Sequence, residues 1–406
     1  MGLQMYLLIA LMYFLVSRGY HFQNVSLSFL LATTGFMTVV AVLQYLKFDP
    51  FGLYQGIEQS QKGIFISTIG NINFFSGYIA LVLPISACSF CFCEKQSSKI
   101  VYAASTLLCF LSLLVSRTAS GLVAAVVLFF FLGLYAFKNM QILKRYLFVI
   151  LLFFLATKLL RLLIALRQGQ TYPTDAVFHE LIDSNIMYVP LILSLGLFLF
   201  LHYWQFSGHS GCLLLKKLRF WFALYAIGAL ALVSFCVVWF SFVNKQQDIG
   251  VFGEYFRLNK QWGTGRGEIF ASAIAAFAKF NPFQKLFGFG MDMFKIITRD
   301  FMIVTVDTQN RYVVYDQTHN ELLGYLLSAG ALGVTSYVVF VVSQIVKSVQ
   351  KCQQEPLLLA FAIGMTCYFI QSMSNIAEPM VAPLFFLVIA ITESVHREMK
   401  ASKSHP

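Results

Sequence analysis

The apolar residues of this chain run in unbroken blocks long enough to cross a bilayer, and that feature limits what it can fold into. A hydrocarbon core about 30 Å thick takes about 20 consecutive apolar residues as a helix. Inside lipid each backbone N–H and C=O must be satisfied within the helix or in a closed barrel. A barrel would show segments of about ten residues alternating in polarity, and these blocks do not alternate. The chain is 58% hydrophobic and 12% charged, where a soluble domain carries about 25% charged residues. The expectation is an all-α, polytopic transmembrane helical bundle of about 11–12 spans, one domain over 1–406 with the lipid bilayer as its surroundings. The blocks fall near 3–16, 25–46, 64–93, 100–116, 119–137, 146–166, 188–206, 219–243, 319–346, 357–373 and 379–393. The first has no basic stretch before it and no small-residue cleavage site after it, and reads as a helix that stays.

The net charge is +11, but its placement excludes a nucleic-acid partner. The basic residues sit in short loops between apolar blocks: Arg18; Lys95 and Lys99; Lys138, Lys144 and Arg145; Lys216, Lys217 and Arg219; Lys347 and Lys351; and the tail. With alternating spans these share one side, which the excess of Lys and Arg marks as cytoplasmic. The C-terminus is then inside and the N-terminus outside. Cysteines lie mostly within apolar blocks as small hydrophobes, and Cys88, Cys91 and Cys93 lack a second pair at zinc spacing. No acidic cluster has the look of a Mg²⁺ site, so neither metal nor cofactor is expected.

The opposite side holds three larger segments, 47–62, 167–187 and 244–318. The last is too long for a plain connection and too aromatic to stay solvated. Within it 267–280 reads as a helix, with Ile269, Ala273, Ala276, Phe277 and Phe280 on one face. Pro282 stops it, and Gly288 and Gly290 mark a turn.

Four places on that side carry polar residues whose position demands a reason. Arg117, in Ser116-Arg117-Thr118 between two apolar spans, offers a rigid fork of donors suited to phosphate. An ordinary snorkelling arginine reads the same way. Arg266 lies in a glycine-rich stretch, 263–267, at the expected helix start, where backbone N–H groups and the dipole favour an anion. At 318–321, Thr318 and Glu321 match a capping box. That leaves His319 and Asn320 to explain, and imidazole can accept a proton near neutrality. Asn71 and Asn73 stand in an apolar run, either bridging helices or binding a head group. Charges such as Arg161, Arg257, Arg299, Arg311, Asp248, Asp292 and Asp316 cannot be ranked by spacing.

These segments, in order, resemble a known family. Gly-Asn-Ile-Asn-Phe-Phe-Ser-Gly-Tyr at 70–78, Ser-Arg-Thr at 116–118, Gly265-Arg266 followed by a helix and Gly288-Phe-Gly290, and His319-Asn320-Glu321 followed by Gly330-Ala-Leu-Gly333 look like motifs of the O-antigen ligase and polymerase-related superfamily. The resemblance covers roughly 65–334. It departs at the start of the loop helix, where the family often has Trp just after the arginine and here Trp262 precedes it. It implies a metal-independent membrane glycosyltransferase at the outer face of a bacterial inner membrane. The donor would be an undecaprenyl-diphosphate-linked glycan, and the acceptor a hydroxyl on a glycan, on lipid A-core or on a protein. Arg117 and Arg266 would hold the diphosphate and His319 would sit at the reacting centre. Asn71, Asn73, Asn320 and Glu321 would contribute to substrate binding, and 244–318 would be the extracytoplasmic catalytic loop. Ligase, polymerase and protein O-glycosyltransferase share these motifs. The rival from another class is a transporter or flippase of lipid-linked glycan, with Asn71, Asn73, Asn375 and Glu378 as its candidate residues.

Overall fold

The computed structural model describes residues 2–174, 176–206, 212–245, 247, 249–250, 253–260, 262–299, 305–306, 312–313, 317–375 and 379–404. Asp248, Arg311, Asp316 and Glu378 lie outside these. The chain is an all-α, multi-pass membrane protein. Its helices are α1 (Leu3–Gly19), α2 (Asn24–Tyr45), α3 (Ile72–Phe92), α4 (Gln96–Ser116), α5 (Ala119–Ala136), α6 (Met140–Leu166), α7 (Ala176–Asp183), α8 (Tyr188–Phe206) and α9 (Cys212–Val238). The short α10 (Gly253–Phe256), α11 (Trp262–Ala278), α12 (Pro282–Phe287) and α13 (Phe294–Ile297) follow, with a two-residue antiparallel ladder between Thr305–Val306 and Tyr312–Val313. Then come α14 (Glu321–Lys351), α15 (Leu357–Gln371) and α16 (Ala382–Ser404).

Each of the eleven expected blocks holds a helix, the third only from Ile72 and the last only from Ala382. Among the described residues nine helical segments are long and apolar enough to cross a membrane. The remaining two are α1, apolar but short, and α16, whose second half is polar. Large apolar side chains along α8 and α9, such as Phe200, Trp221, Tyr225, Leu230 and Phe235, are exposed. Water does not tolerate that much continuous apolar surface; lipid does.

The chain divides into two compact units, one of Met1–Met12, Leu224–Ser343 and Ser372–Ala382, the other of Tyr13–Ala223, Gln344–Gln371 and Pro383–Pro406. The second unit is built on α3, buried at every position from Phe75 to Cys91 and packed by α4, α5, α6 and α15. Hydroxyl and amide pairs lock its helices: Thr34–Tyr78 at 2.7 Å, Thr38–Ser112 at 2.6 Å and Ser86–Thr106 at 3.0 Å. Gln371 donates to Ser76 at 3.2 Å. A Cβ on Gly77 would meet the Gln371 amide at 3.3 Å, so glycine leaves it room. Such pairs hold helices together where lipid removes the hydrophobic drive. Arg145 donates to the Cys91 and Cys93 carbonyls at 2.7 and 2.8 Å, a cation at the C-terminal end of α3.

In the first unit the expected loop helix exists and starts earlier, at Trp262. Ile269, Ala273, Ala276 and Phe280 form one buried cluster with Phe294 and Leu327, against which Phe277 packs. The predicted helix face is therefore the buried one.

Candidate functional site

In the second unit, the site centres on Arg117. Asn71 is not inside the apolar run. It is the N-cap of α3, its side chain accepting from the Asn73 amide at 2.8 Å. The run begins after it because an Asn cap satisfies one of the open N–H groups of the first turn. Thr118 likewise caps α5 by accepting from Gly121. Arg117 stands between α4 and α5 in the left-handed region, φ 52 and ψ 38, where glycine is the usual residue. Its side chain shows what replaces that preference. The guanidinium donates to the Val115 carbonyl at 3.3 Å, to the Pro173 carbonyl at 2.7 Å and to the Gly63 carbonyl, and lies 5.5 Å from the Tyr45 ring.

Arg117 thereby ties together two of the loops singled out from sequence, 47–62 with its continuation to Phe65, and 167–187. Tyr54 and Tyr172 stack edge to face at 6.2 Å, and the Tyr54 hydroxyl donates to the Phe65 carbonyl at 2.6 Å. Burial, reinforced by Tyr172 and Asp49, pushes that hydroxyl above its ordinary value of 10.0 against the pull of Arg117, so it stays protonated as a donor.

In the first unit, the expected anion cradle at 263–267 is partly occupied by the chain itself. Gly263 and Gly265 have φ of +59 and +94, so the first turn of α11 is irregular. The Glu268 amide goes to the Lys260 carbonyl at 3.0 Å, and a Cβ on Gly267 would fall 1.9 Å from the Asn259 carbonyl oxygen. Arg266 sits within this turn, half-buried, with Nη1 3.4 Å from the Gly263 carbonyl.

The start of α14 corrects the capping-box reading. Asn320 is the cap: its side-chain oxygen accepts from the Leu323 amide at 3.0 Å, and its amide group donates to the Met373 carbonyl at 2.7 Å. Thr318 donates to the Asn320 carbonyl at 2.7 Å instead of accepting from the helix. Glu321 does not fold back. It is 3% exposed, and among the described residues neither carboxyl oxygen has a hydrogen-bond partner of ordinary geometry, although the Ser372 and Tyr337 hydroxyls lie near enough to interact. His319 is left-handed, φ 48, with Nδ1 3.2 Å from the Gln317 carbonyl. A carbonyl only accepts, so Nδ1 is the donor in that contact. Asn320→Ala should cost about 1–2 kcal/mol through the lost cap, and more through the unpaired Met373 carbonyl. A lowered thermal midpoint of the purified protein checks it, with unchanged stability counting against this cap.

A cleft of about 80 Å³ opens beside Glu321, lined among others by Tyr6, Gly290, Asp292, Gln317 and Tyr325. One wall depends on glycines. The Phe289 and Gly290 amides bond the Leu327 and Ser328 carbonyls at 2.9 and 3.1 Å. Those carbonyls precede a break in α14 at Gly330, φ 69 and ψ −168. The two glycine motifs noted in the sequence therefore pack on each other. Of the residues named from sequence at 318–321, Thr318 and Glu321 line the cleft and His319 does not. Tyr6 and Asp292 carried no local signal for it. Among the described residues no three His, Cys, Asp or Glu side chains gather as a metal site.

No protein-family model, no curated protein and no solved structure matches this chain.

Proposed function

We propose that the protein is a membrane glycosyltransferase moving a polyprenyl-diphosphate-linked glycan onto an acceptor hydroxyl, at the extracytoplasmic face of a bacterial inner membrane. The observation that carries this reading is backbone strain at the motif residues. Among the described residues six non-glycines have positive φ; Arg117 and His319 are two of them and Asp292, in the cleft, is a third. Left-handed backbone costs a non-glycine residue about 1–2 kcal/mol and persists where a site needs it. The reading also requires an even number of crossings between Arg117 and Thr318, and four candidate spans lie between them in the chain.

The acceptor oxygen attacks the anomeric carbon while the bond to the diphosphate breaks, and the electron pair leaves with the phosphate. Guanidiniums fixed before the reaction stabilise that developing charge more than the ground state. The carbonyl bonds that hold Arg117 supply such fixing. Asn71, Asn73 and Asn320 are read as binding residues by the same resemblance.

A flippase is the second reading, because a break such as that at Gly330 also occurs in transporter helices. Release of polyprenyl diphosphate separates the two. Purified protein given undecaprenyl-diphosphate-linked glycan should release undecaprenyl diphosphate as transfer proceeds. Movement of intact lipid-linked glycan across vesicles without release would overturn the transferase reading.

A further inference from the structure

We infer that the cleft beside Glu321 receives the acceptor hydroxyl and that Glu321, not His319, takes its proton; this rests on the transferase reading above. Glu321 is a buried carboxyl, 3% exposed, and among the described residues neither oxygen has a hydrogen bond of ordinary geometry, the Ser372 and Tyr337 hydroxyls being near but poorly aligned. Leaving a buried polar group unpaired costs about 1–3 kcal/mol, so a place built this way calls for a donor from outside. The capping role that would have occupied Glu321 belongs to Asn320.

The rest of the cleft specifies the donor. Tyr6 and Tyr325 stand 5.9 Å apart, and Asp292 and Gln317 add acceptors beside them. Aromatic faces with carboxyl and amide oxygens suit a sugar, whose hydroxyls donate to the oxygens while its C–H faces meet the rings. Among the described residues fewer charged ligands converge here than a metal ion would need. Asp292 is exposed, hence already solvated, which leaves Glu321 as the buried carboxyl of the cleft.

The step balances. The acceptor O–H bond breaks and its proton goes to the Glu321 carboxylate. The oxygen's electron pair forms the new bond to the anomeric carbon, and the diphosphate departs with the electrons of the old one. His319 lies outside the cleft lining and is not needed for this proton transfer.

Two measurements on the purified full-length protein test this. Dicyclohexylcarbodiimide, a carboxyl reagent that enters apolar sites, should label Glu321 in peptide mapping, and the hydroxyl-bearing acceptor glycan of the transfer assay should protect it. In the transfer assay Glu321→Gln should lower kcat at least about 100-fold, with the KM for the lipid-linked donor within about threefold. Glu321→Asp should recover part of the rate. An active wild type with Glu321→Gln keeping more than a tenth of its rate, or with no protectable label on Glu321, overturns this inference alone. A wild type that releases no undecaprenyl diphosphate overturns the transferase reading and, with it, this role. Should Glu321→Gln not fold, labelling and protection in the wild type decide between the outcomes.

Discussion

Gly330→Ala should abolish function by destroying the break in α14. At φ 69 and ψ −168 the residue lies in a region open essentially to glycine, where another residue carries about 1–3 kcal/mol of strain. A Cβ there would also fall 2.4 Å from the Leu286 carbonyl carbon and oxygen and 2.6 Å from the Gly288 nitrogen. Those are backbone atoms and cannot step aside as a side-chain tip can. Overpacking adds about 1–3 kcal/mol, so the thermal midpoint in detergent should fall by about 5–10 °C. Gly288→Ala should behave the same way, since its Cβ would lie 2.3 Å from the Ser328 carbonyl carbon. Gly169→Ala is the control: it has φ +74 but nothing within 4 Å of a Cβ, and should cost only the strain. Equal midpoints for all three variants would mean that the contact between 286–290 and 327–330 does not hold this unit together.

What the sequence disclosed followed from how local each signal is. The spans were legible because apolar runs end where charge or glycine begins, and each of the eleven expected blocks holds a helix. The buried face of α11 was legible for the same reason: Ile269, Ala273, Ala276 and Phe280 repeat at helical spacing, and those four enter the cluster. Capping was half legible. Thr and Glu three apart fit a known pattern, but Asn320 is at least as good a cap. It sits one position before the helix, where its short side chain reaches the Leu323 amide. The left-handed backbone of Arg117 gave no warning, because an arginine there is not the glycine that announces such a turn. Its reason lies some 54 residues away in the Gly63 carbonyl. The cleft was illegible for a related cause: Tyr6 and Glu321 come together only through the fold, and no local pattern links them.

On the proposed transferase reading, removing the guanidinium of Arg117 should reduce transfer by about 10²–10³, the loss found when one fixed transition-state donor is deleted. Glycine is the informative replacement. It accepts φ 52 without strain, so Arg117→Gly keeps the α4–α5 junction and deletes only the side chain. Alanine would confound the two effects. Lysine would keep the charge, but one ammonium cannot reproduce a planar fork directed at the Val115, Pro173 and Gly63 carbonyls, so Arg117→Lys should also be strongly impaired. Hydrogen exchange separates bracing from catalysis. Without the guanidinium, amides around Gly63 and Tyr172 should exchange faster, since local opening there no longer breaks these bonds. Arg266→Gln should lose transfer to a similar degree and leave exchange around Gly63 unchanged. If Arg117→Gly speeds exchange at both loops yet transfers at the wild-type rate, Arg117 is a brace alone.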